Sequence, residues 1–376
     1  MKIFQFTTSM SDGGAETLVV NYSTLLKEKG HEPVILTIYK VENSANHKRI
    51  MDAGIREISI FPNHGFFTRV CRTIFGNWLI PYRLKKIIQL EKPDCIHSHM
   101  QVLSYLNKVK DYLKDTKLFY TCHSEPDRFL RKGTKEYLSA RSLIEKCNLQ
   151  IIGLHNDMIV RLNELLSIDN AILINNGINF NKYIFNKDER IRTRDSLGIT
   201  DEFLIGHIGR FTKVKNHDFI IKVFSEVLAA GVDSKLILIG SGPLENEIKE
   251  KVIRLGMESR VIFLSHRTDI PSLLMGMDAF VFPSLYEGLS LTLVEAQRMG
   301  LRCVISNRIN IENVMSRKTF MLSIEDDPKE WAKKLLADDD NDFDESIEER
   351  ILLYDLNNIV EGLLSLYKGT YINMSC

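Results

Sequence analysis

The sequence predicts an α/β protein with two Rossmann-like domains whose parallel sheets face each other across a cleft. At 376 residues, the chain is too long for one ordinary hydrophobic core. Short apolar runs alternate with helix-length amphipathic segments almost from end to end. A polar stretch over residues 175–200 interrupts this alternation once. Repeated β-α-β-α order on both sides of such a linker predicts two parallel sheets with right-handed crossovers.

The predicted strands are mostly continuous apolar runs, as expected for parallel strands that are covered on both faces. In the first half they span residues 2–8, 32–39, 55–61, 95–99, 118–122, 150–154 and 172–175. Helices between them are predicted, for example, over 15–29, 82–91 and 135–146. After the linker, strands are predicted over 203–208, 235–239, 261–264, 279–283, 303–306 and 320–323, and an amphipathic helix over 356–366. We therefore expect domains over 1–180 and 181–355, followed by a C-terminal segment over 356–376.

The composition excludes several classes of protein. Lys+Arg and Asp+Glu balance at 49 each, so the chain has no overall basic field that would hold a nucleic acid. The six cysteines form no C-x-x-C pair and no zinc spacing, which indicates a reducing compartment. The N-terminus lacks the form of a signal peptide, and no stretch has the apolar length of a membrane span. We expect a cytoplasmic protein that can still touch the inner face of the cell membrane.

Two loops of the second half carry candidate phosphate-binding residues. The run over 203–208 leads into GRFTKVKN, with Gly209, Arg210 and Lys215 at the sheet edge where doubly wound folds bind ligands. These two cations could neutralise a diphosphate without a metal, and the alternative is an ordinary charged loop. The next strand ends in GSGP, where Gly240 starts a turn into a helix predicted to open at Pro243. This turn is either an anion or base site or a simple tight turn.

The strongest signal is the segment AFVFPSLYEGLSLTLVEAQRMG over 279–300. Glu287 lies in the loop after the strand, and Glu295 lies inside a helix predicted to start near Ser290. An ionised carboxylate inside a packed helix is costly unless it accepts hydrogen bonds, and sugar hydroxyls are such donors. The helix N-terminus between the two acids offers N–H groups to a phosphate. The alternative is two acids beside an ordinary helix.

On these residues the chain resembles the retaining glycosyltransferases of family 4, which have GT-B architecture and include bacterial capsular and exopolysaccharide enzymes. The family's E-x7-E pair is matched by Glu287 and Glu295, and its G-R-x4-K-N element by GRFTKVKN. Its G-G-x-E signature is matched by Gly13, Gly14 and the following Ala-Glu. The segments DCIHSH, FYTCHSEP and YDLNNIVEGLLSLY also fit, so the match covers essentially the whole chain in order.

The resemblance implies a role for each matched residue. Arg210 and Lys215 would contact the donor diphosphate, Glu287 the transferred sugar and Glu295 the ribose. Backbone N–H groups along the start of the helix would bind sugar and phosphate, and these belong to Gly288, Leu289, Ser290 and Leu291. Gly13 and Gly14 would lie near the phosphates and the acceptor, and His123 would lie at the donor sugar. His266 and Arg267 would contact the nucleotide base. Gly209 and Gly240, in the turns that follow two strands, complete the donor-binding positions. His99 is the rival for the role of His123.

The resemblance also implies an activity. The second domain would hold the donor, and the first would bind the acceptor and receive the 356–376 segment. A hexosyl unit would move, with retention and without metal or cofactor, from a nucleotide diphosphate sugar to a saccharide or lipid-linked saccharide. We expect a UDP-sugar and a role in cell-surface polysaccharide synthesis. Basic residues interleaved with aromatics over 66–86 fit either a peripheral membrane contact or a solvated surface of the core.

Three other functions fit parts of the sequence. A metal-dependent GT-A transferase would need an Asp-x-Asp, which occurs at Asp338–Asp340 and at Asp342–Asp344. A nucleotide-sugar epimerase or a catalytically inactive GT-B partner subunit would share the two-domain architecture. A nicotinamide oxidoreductase is not expected, because SMSDGGAE follows the first strand where G-x-G-x-x-G would be required.

Overall fold

The chain forms two compact α/β units. A computed structural model describes residues 1–62, 66–265, 267–287, 290–337 and 349–371. The first unit comprises Met1–Gly177 together with Leu356–Cys376, and the second comprises Ile178–Asp355. Both contain a parallel sheet, which confirms the predicted fold class.

The first unit is built on a seven-stranded parallel sheet in the order β3-β2-β1-β4-β5-β6-β7. Its strands are β1 (Lys2–Thr7), β2 (Glu32–Tyr39), β3 (Arg56–Phe61), β4 (Cys95–His99), β5 (Lys117–Thr121), β6 (Gln150–Gly153) and β7 (Ile172–Leu173). Its helices before the linker are α1 (Gly14–Glu28), α2 (Ala45–Asp52), α3 (Phe66–Glu91), α4 (Leu103–Asn107), α5 (Pro126–Phe129), α6 (Lys135–Cys147) and α7 (Asn156–Leu166). The order reverses between β1 and β4, so the loops after these two strands lie at the switch point of the sheet.

The second unit has a six-stranded parallel sheet in the order β10-β9-β8-β11-β12-β13. Its strands are β8 (Phe203–Ile208), β9 (Ser234–Ile239), β10 (Val261–Leu264), β11 (Ala279–Phe282), β12 (Arg302–Ser306) and β13 (Thr319–Leu322). Its helices are α8 (Lys187–Ser196), α9 (His217–Ala229), α10 (Glu245–Arg254), α11 (Ile270–Gly276), α12 (Leu291–Arg298) and α13 (Pro328–Leu336). Here the switch point lies between β8 and β11, the strands that precede the GRFTKVKN loop and the loop with Glu287.

Strand β11 shows why these runs are apolar throughout. All four of its residues are buried. Phe280 and Phe282 pack into one core of the second unit, whereas Ala279 and Val281 pack into another. Successive side chains of a strand point to opposite faces, so a sheet that is covered on both faces needs apolar residues at every position.

The predicted linker contains a helix that the sequence did not indicate. Helix α8 (KDERIRTRDS) carries Arg190 and Arg194, which both bind Asp278, at 2.5 Å and 3.1 Å. Asp278 also accepts the backbone N–H of Leu204 at the start of β8, at 2.7 Å. The polar stretch interpreted as a linker over 175–200 gave no helix signal, because ion pairs rather than an apolar stripe attach this helix to its sheet.

Two other helix bounds differ from the prediction. Helix α3 begins well before residue 82 and continues through Pro81. The helix after β9 begins at Glu245, and Pro243 lies in the preceding turn. Proline lacks an N–H and is best tolerated before or in the first turn, so it indicates the region of a helix start rather than the residue.

The last helix, α14 (Leu356–Lys368), packs on α1 in the first unit. Lys29 Nζ lies 2.6 Å from Glu361 Oε1. The Tyr367 hydroxyl lies 2.6 Å from His97 Nδ1 in β4, and Lys117 Nζ donates to the Tyr367 carbonyl at 2.8 Å. Among the described residues, no helix combines the length and apolar character required to cross a bilayer.

Candidate functional site

The loop after β8 brings a lysine and a glutamate together at the carboxyl edge of the second sheet. A short 3-10 helix over Lys213–Lys215 and a left-handed Asn216 turn the chain into α9. Lys215 Nζ lies 2.6 Å from Glu287 Oε1, and each side chain is 17% exposed. The same ammonium lies 4.5 Å from the ring centroid of Phe282 in β11. Little water separates the two charges, so this ion pair places the Lys215 ammonium next to the Glu287 carboxylate.

Arg210, Gly209 and Gly240 lie in the two turns that follow β8 and β9. Arg210 is exposed in the loop that follows Gly209. Gly240 has a φ of +147°, and a Cβ there would lie 2.2 Å from the carbonyl oxygen of Gly209. The turn after β9 can therefore run against the turn after β8 only with glycine at position 240. This close approach explains Gly240 without a ligand, so its donor-binding role stays a prediction.

The N-terminus of α12 begins directly beyond Glu287. Ser290 is the residue before the helix, and its backbone N–H donates to Asn313 Oδ1 at 3.0 Å. Leu291 is the first helical residue, as the sequence predicted to within one position. The N–H groups of a first helical turn lack partners within the helix and attract anions. Gly288 and Leu289 lie outside the described residues, so their predicted contacts stay predictions.

Glu295 lies inside α12, and a tyrosine from the former linker binds it. The Tyr183 hydroxyl donates to Glu295 Oε1 at 2.5 Å. Burial raises the pKa of the Glu295 carboxyl to about 7, although the Tyr183 hydrogen bond favours the charged form. Such a carboxyl is poised to ionise when further hydroxyl donors reach it.

In the described part of the loop after β10, Arg267 forms an ion pair with Asp269. Arg267 is exposed, and its guanidinium donates one hydrogen bond to each oxygen of the Asp269 carboxylate, at 2.7 Å and 2.5 Å. His266 lies outside the described residues. The base-binding roles of Arg267 and His266 stay predictions.

The glycine signature of the first unit has a packing reason. A Cβ on Gly13 would lie 2.2 Å from Glu16 Oε2. Glu16 is buried, and its Oε1 accepts from Ser11 Oγ at 2.9 Å. The Glu16 carboxylate therefore folds back over the start of α1 because position 13 lacks a side chain. Gly14, the first residue of α1, has open space at the Cβ position.

Three histidines cluster at the carboxyl edge of the first sheet. His123 follows β5, and its Nε2 lies 2.8 Å from His99 Nδ1. His99 Nε2 in turn lies 2.7 Å from Gln5 Oε1. His97 contacts Tyr367 and Thr121 instead. His99 and His123 are therefore not rivals, because they form one hydrogen-bonded pair.

The described residues contain no group of three or more His, Cys, Asp or Glu side chains placed to hold a metal ion. The acidic positions Asp338, Asp340, Asp342 and Asp344, which an Asp-x-Asp site would use, lie outside the described part of the chain.

Two family models match consecutive parts of the chain. The model for Glycosyltransferase Family 4 matches residues 12–182, and that for Glycosyl transferases group 1 matches residues 202–337. The chain belongs to these glycosyltransferases. The matched stretches include the Gly13–Gly14 loop and His123 in one unit, and the Lys215–Glu287 pair with Glu295 in the other.

The chain is also similar to individual glycosyltransferases. It is 36% identical to the putative glycosyltransferase EpsF of Bacillus subtilis over 202 residues, which is 52% of each chain. It is 29% identical over 246 residues, 63% of each chain, to UDP-Gal:alpha-D-GlcNAc-diphosphoundecaprenol alpha-1,3-galactosyltransferase of Escherichia coli. These alignments thus span between half and two thirds of the relatives' own lengths. Among solved structures, Anabaena HepE in complex with UDP and glucose has the same fold, with a TM-score of 0.73 and 17% identity, covering 98% of this chain and 100% of HepE.

Sequence reasoning missed three residues of these sites. Tyr183 lies in the stretch interpreted as a linker, Asn313 lies in a loop, and Gln5 lies within an apolar strand. A polar side chain in the middle of β1 was the one available signal, because a buried Gln requires a polar partner.

Proposed function

We propose that the chain is a retaining glycosyltransferase that moves a hexosyl unit from a UDP-sugar to a saccharide or lipid-linked saccharide acceptor in cell-surface polysaccharide synthesis. The observation that carries the proposal is the shielded Lys215–Glu287 pair beside the start of α12, with Glu295 on the same helix. This arrangement offers one cation and a helix end to a diphosphate, and two carboxylates to hydroxyl groups.

Loss of the nucleotide diphosphate builds negative charge on the leaving group. Lys215, Arg210 from the same loop and the α12 N-terminus are positive groups that would stabilise that charge. Glu287 would release Lys215 to the diphosphate and turn to the hydroxyls of the sugar. It is not proposed as a nucleophile, because no paired-carboxylate glycosidase mechanism is implied.

The choice of substrates rests on the E. coli relative, whose name specifies UDP-galactose and a diphosphoundecaprenol-linked acceptor. A donor screen tests the proposal directly: release of nucleotide diphosphate is measured with UDP-, GDP- and ADP-sugars and a lipid-linked saccharide acceptor. We expect acceptor-dependent release from a UDP-sugar. Sugar interconversion without an acceptor would instead indicate an epimerase, and an absence of turnover by the purified chain would favour an inactive partner subunit.

The first prediction concerns metal ions. Because Arg210, Lys215 and the helix end supply the positive charge, sugar transfer should proceed at an unchanged rate in excess EDTA. The measurement is nucleotide diphosphate release before and after chelation, with and without added Mg²⁺ or Mn²⁺. Activity that disappears with EDTA and returns with either ion would contradict the proposed charge-stabilising groups.

A membrane contact through residues 66–86 is part of the proposal. Trp78 is 68% exposed and Tyr82 is 43% exposed, and their rings stack with centroids 5.4 Å apart on α3. Lys86 Nζ lies 4.7 Å from the centroid of Tyr82. Exposed aromatic rings beside lysines suit the interface of an anionic bilayer. The side chains of residues 66–75 lie outside the described part, so this surface is argued from Trp78, Tyr82 and Lys86 alone.

The second prediction follows from this surface. The protein should co-sediment with vesicles that contain anionic phospholipid, and less so with purely zwitterionic vesicles or at high salt. Trp78→Ser should weaken vesicle binding while transfer to a water-soluble acceptor is retained. Leu90→Ser is the matched control, because Leu90 is a non-aromatic apolar residue that is 81% exposed near the end of the same helix. Equal vesicle binding by the two variants would mean that the aromatic pair does not contribute to the proposed membrane contact.

A further inference from the structure

The hydrogen-bonded chain Gln5–His99–His123 lies buried at the switch point of the first sheet. Gln5 is on β1 and His99 ends β4, and both side chains are fully buried. His99 connects the two neighbours through its two ring nitrogens, at 2.7 Å to Gln5 Oε1 and 2.8 Å to His123 Nε2. The resemblance to family 4 implies a role for His123 at the donor sugar and assigns no such role to Gln5.

The imidazole rings of His99 and His123 are both neutral near pH 7. Burial lowers the pKa of His123 to about 4, and burial together with the neighbouring rings lowers the pKa of His99 well below its ordinary value. A neutral imidazole carries one N–H, so one nitrogen donates and the other accepts. The position of each proton is then decided by the partner of each nitrogen.

The Gln5 amide lies with its Oε1 toward His99, and with this orientation the partners allow one direction of donation. Gln5 Oε1 can only accept, so His99 must carry its proton on Nε2. His99 Nδ1 is then a bare acceptor, and His123 must donate to it from Nε2. The remaining nitrogen, His123 Nδ1, is left without a proton. It is buried and makes no hydrogen bond within the described part of the chain.

We propose that Gln5 and His99 are positioning residues that fix His123 in the Nε2-protonated tautomer, so that its Nδ1 accepts a hydrogen bond from a substrate hydroxyl. This inference rests on the proposed function and on the role that the resemblance implies for His123 at the donor sugar. A buried acceptor without a donor is unfavourable, and a sugar hydroxyl would satisfy it. In the other tautomer, Nδ1 would present an N–H and would require an acceptor on the substrate.

The tautomer can be measured without any enzymatic activity. In protein labelled with ¹⁵N-histidine, the ring nitrogen shifts and two-bond proton couplings report which nitrogen of His123 carries the proton, and His123→Gln assigns the signals. We expect the proton on Nε2. A proton on Nδ1 overturns the proposal. A failure of the proposed function is a separate outcome, since a chain that transfers no sugar would still give this spectrum.

Variants of His99 then test the coupling. His99→Phe removes the acceptor for His123, so the signal of the hydrogen-bonded Nε2–H should shift or be lost, and kcat should fall by about tenfold or more with little change in the KM for the donor. His99→Asn can place an amide oxygen near the former position of Nδ1, and it should recover part of the His123 Nε2–H signal and part of kcat. Unchanged His123 signals in His99→Phe would overturn the proposal.

Thr121→Val provides the control within the same cluster. Thr121 Oγ1 lies 2.7 Å from His97 Nε2, so this isosteric change also deletes a buried hydrogen bond to a histidine. His97 packs on His99 with ring centroids 4.3 Å apart but bonds to Tyr367 and Thr121. The variant should therefore lose stability but leave the His123 tautomer and kcat unchanged. A shift of the tautomer in Thr121→Val equal to that in His99→Phe would contradict a specific role for His99.

Discussion

Lys215→Ala is expected to weaken binding of the free nucleotide diphosphate by about 10- to 100-fold. The variant removes a charge-assisted contact of about 1.5–3 kcal/mol, and a loss of about 1.4 kcal/mol is tenfold in affinity. The effect on turnover should be larger, about 100-fold or more, because the leaving group gains charge in the transition state. Calorimetric titration with UDP and steady-state transfer assays measure the two effects separately.

Lys213→Ala is the matched control for this experiment. Lys213 belongs to the same 3-10 helix, but its side chain is exposed, whereas that of Lys215 is largely shielded and bound to Glu287. A screened surface charge contributes little to binding, so this variant should bind and turn over donor almost as the natural protein does. Equal losses in both variants would mean that the loop acts through its general charge and not through the Lys215 contact.

Glu287→Ala should impair sugar transfer without weakening the binding of free UDP. Glu287 Oε1 lies 2.6 Å from Lys215 Nζ, so the loss of this carboxylate frees the Lys215 ammonium to bind a diphosphate. We expect unchanged or tighter binding of free UDP together with a large loss of sugar transfer. Parallel losses of UDP binding and transfer would contradict the assignment of Glu287 to the sugar.

The sheets were predictable because parallel strands leave a local signal. In β11 every residue is buried, so four consecutive apolar residues identify the strand without knowledge of its neighbours. The ends of such strands then indicate where ligands bind, which is why Lys215 and Glu287 could be selected from separate motifs. Their contact joins the loops after β8 and β11, two strands that are adjacent in the sheet.

The features that escaped prediction depend on partners distant in sequence. Helix α8 has an almost wholly polar sequence, and it is attached to the sheet by Arg190 and Arg194 through Asp278. Tyr183 is an ordinary residue in the sequence and gains its importance from the buried carboxyl of Glu295. The direction of donation from His123 to His99 likewise depends on Gln5, which lies on another strand. Local patterns predict burial, but they do not predict which buried polar groups meet.

Glu295→Gln is expected to raise the stability of the protein at pH 8 and to impair its binding of nucleotide. In the folded state burial raises the pKa of Glu295 to about 7, so the folded protein binds this proton more tightly than the unfolded chain does. The carboxyl therefore contributes stability at low pH, and that contribution is lost as the pH rises through about 7. Glutamine keeps the acceptor for Tyr183 and carries no charge, so it avoids this loss, which amounts to about 2–3 kcal/mol.

Denaturant unfolding at pH 5 and pH 8 measures this difference in the free energy of unfolding between Glu295→Gln and the natural protein. The variant should be closer to the natural protein at pH 5, where the natural carboxyl is protonated, and more stable than it at pH 8. Tyr183→Phe provides the complementary change, because it removes the hydrogen bond that favours the charged form and should raise the pKa of Glu295 further. An equal stability difference at both pH values would mean that Glu295 titrates at its ordinary pKa.

The same ionisation should make nucleotide binding depend on pH. Two ribose hydroxyls donate to a carboxylate better than to a carboxylic acid, so UDP should favour ionised Glu295 and displace its proton. Affinity is then expected to increase by about tenfold between pH 6 and pH 8, beyond the change caused by the phosphate groups of UDP itself. Calorimetry at pH 6 in buffers of different ionisation enthalpy should detect the released proton, and 2′,3′-dideoxy-UDP corrects for the phosphates. If the affinity keeps its full pH dependence in Glu295→Gln or with the dideoxynucleotide, Glu295 does not bind the ribose. Loss of this pH dependence in both experiments would assign ribose binding to the Glu295 carboxylate.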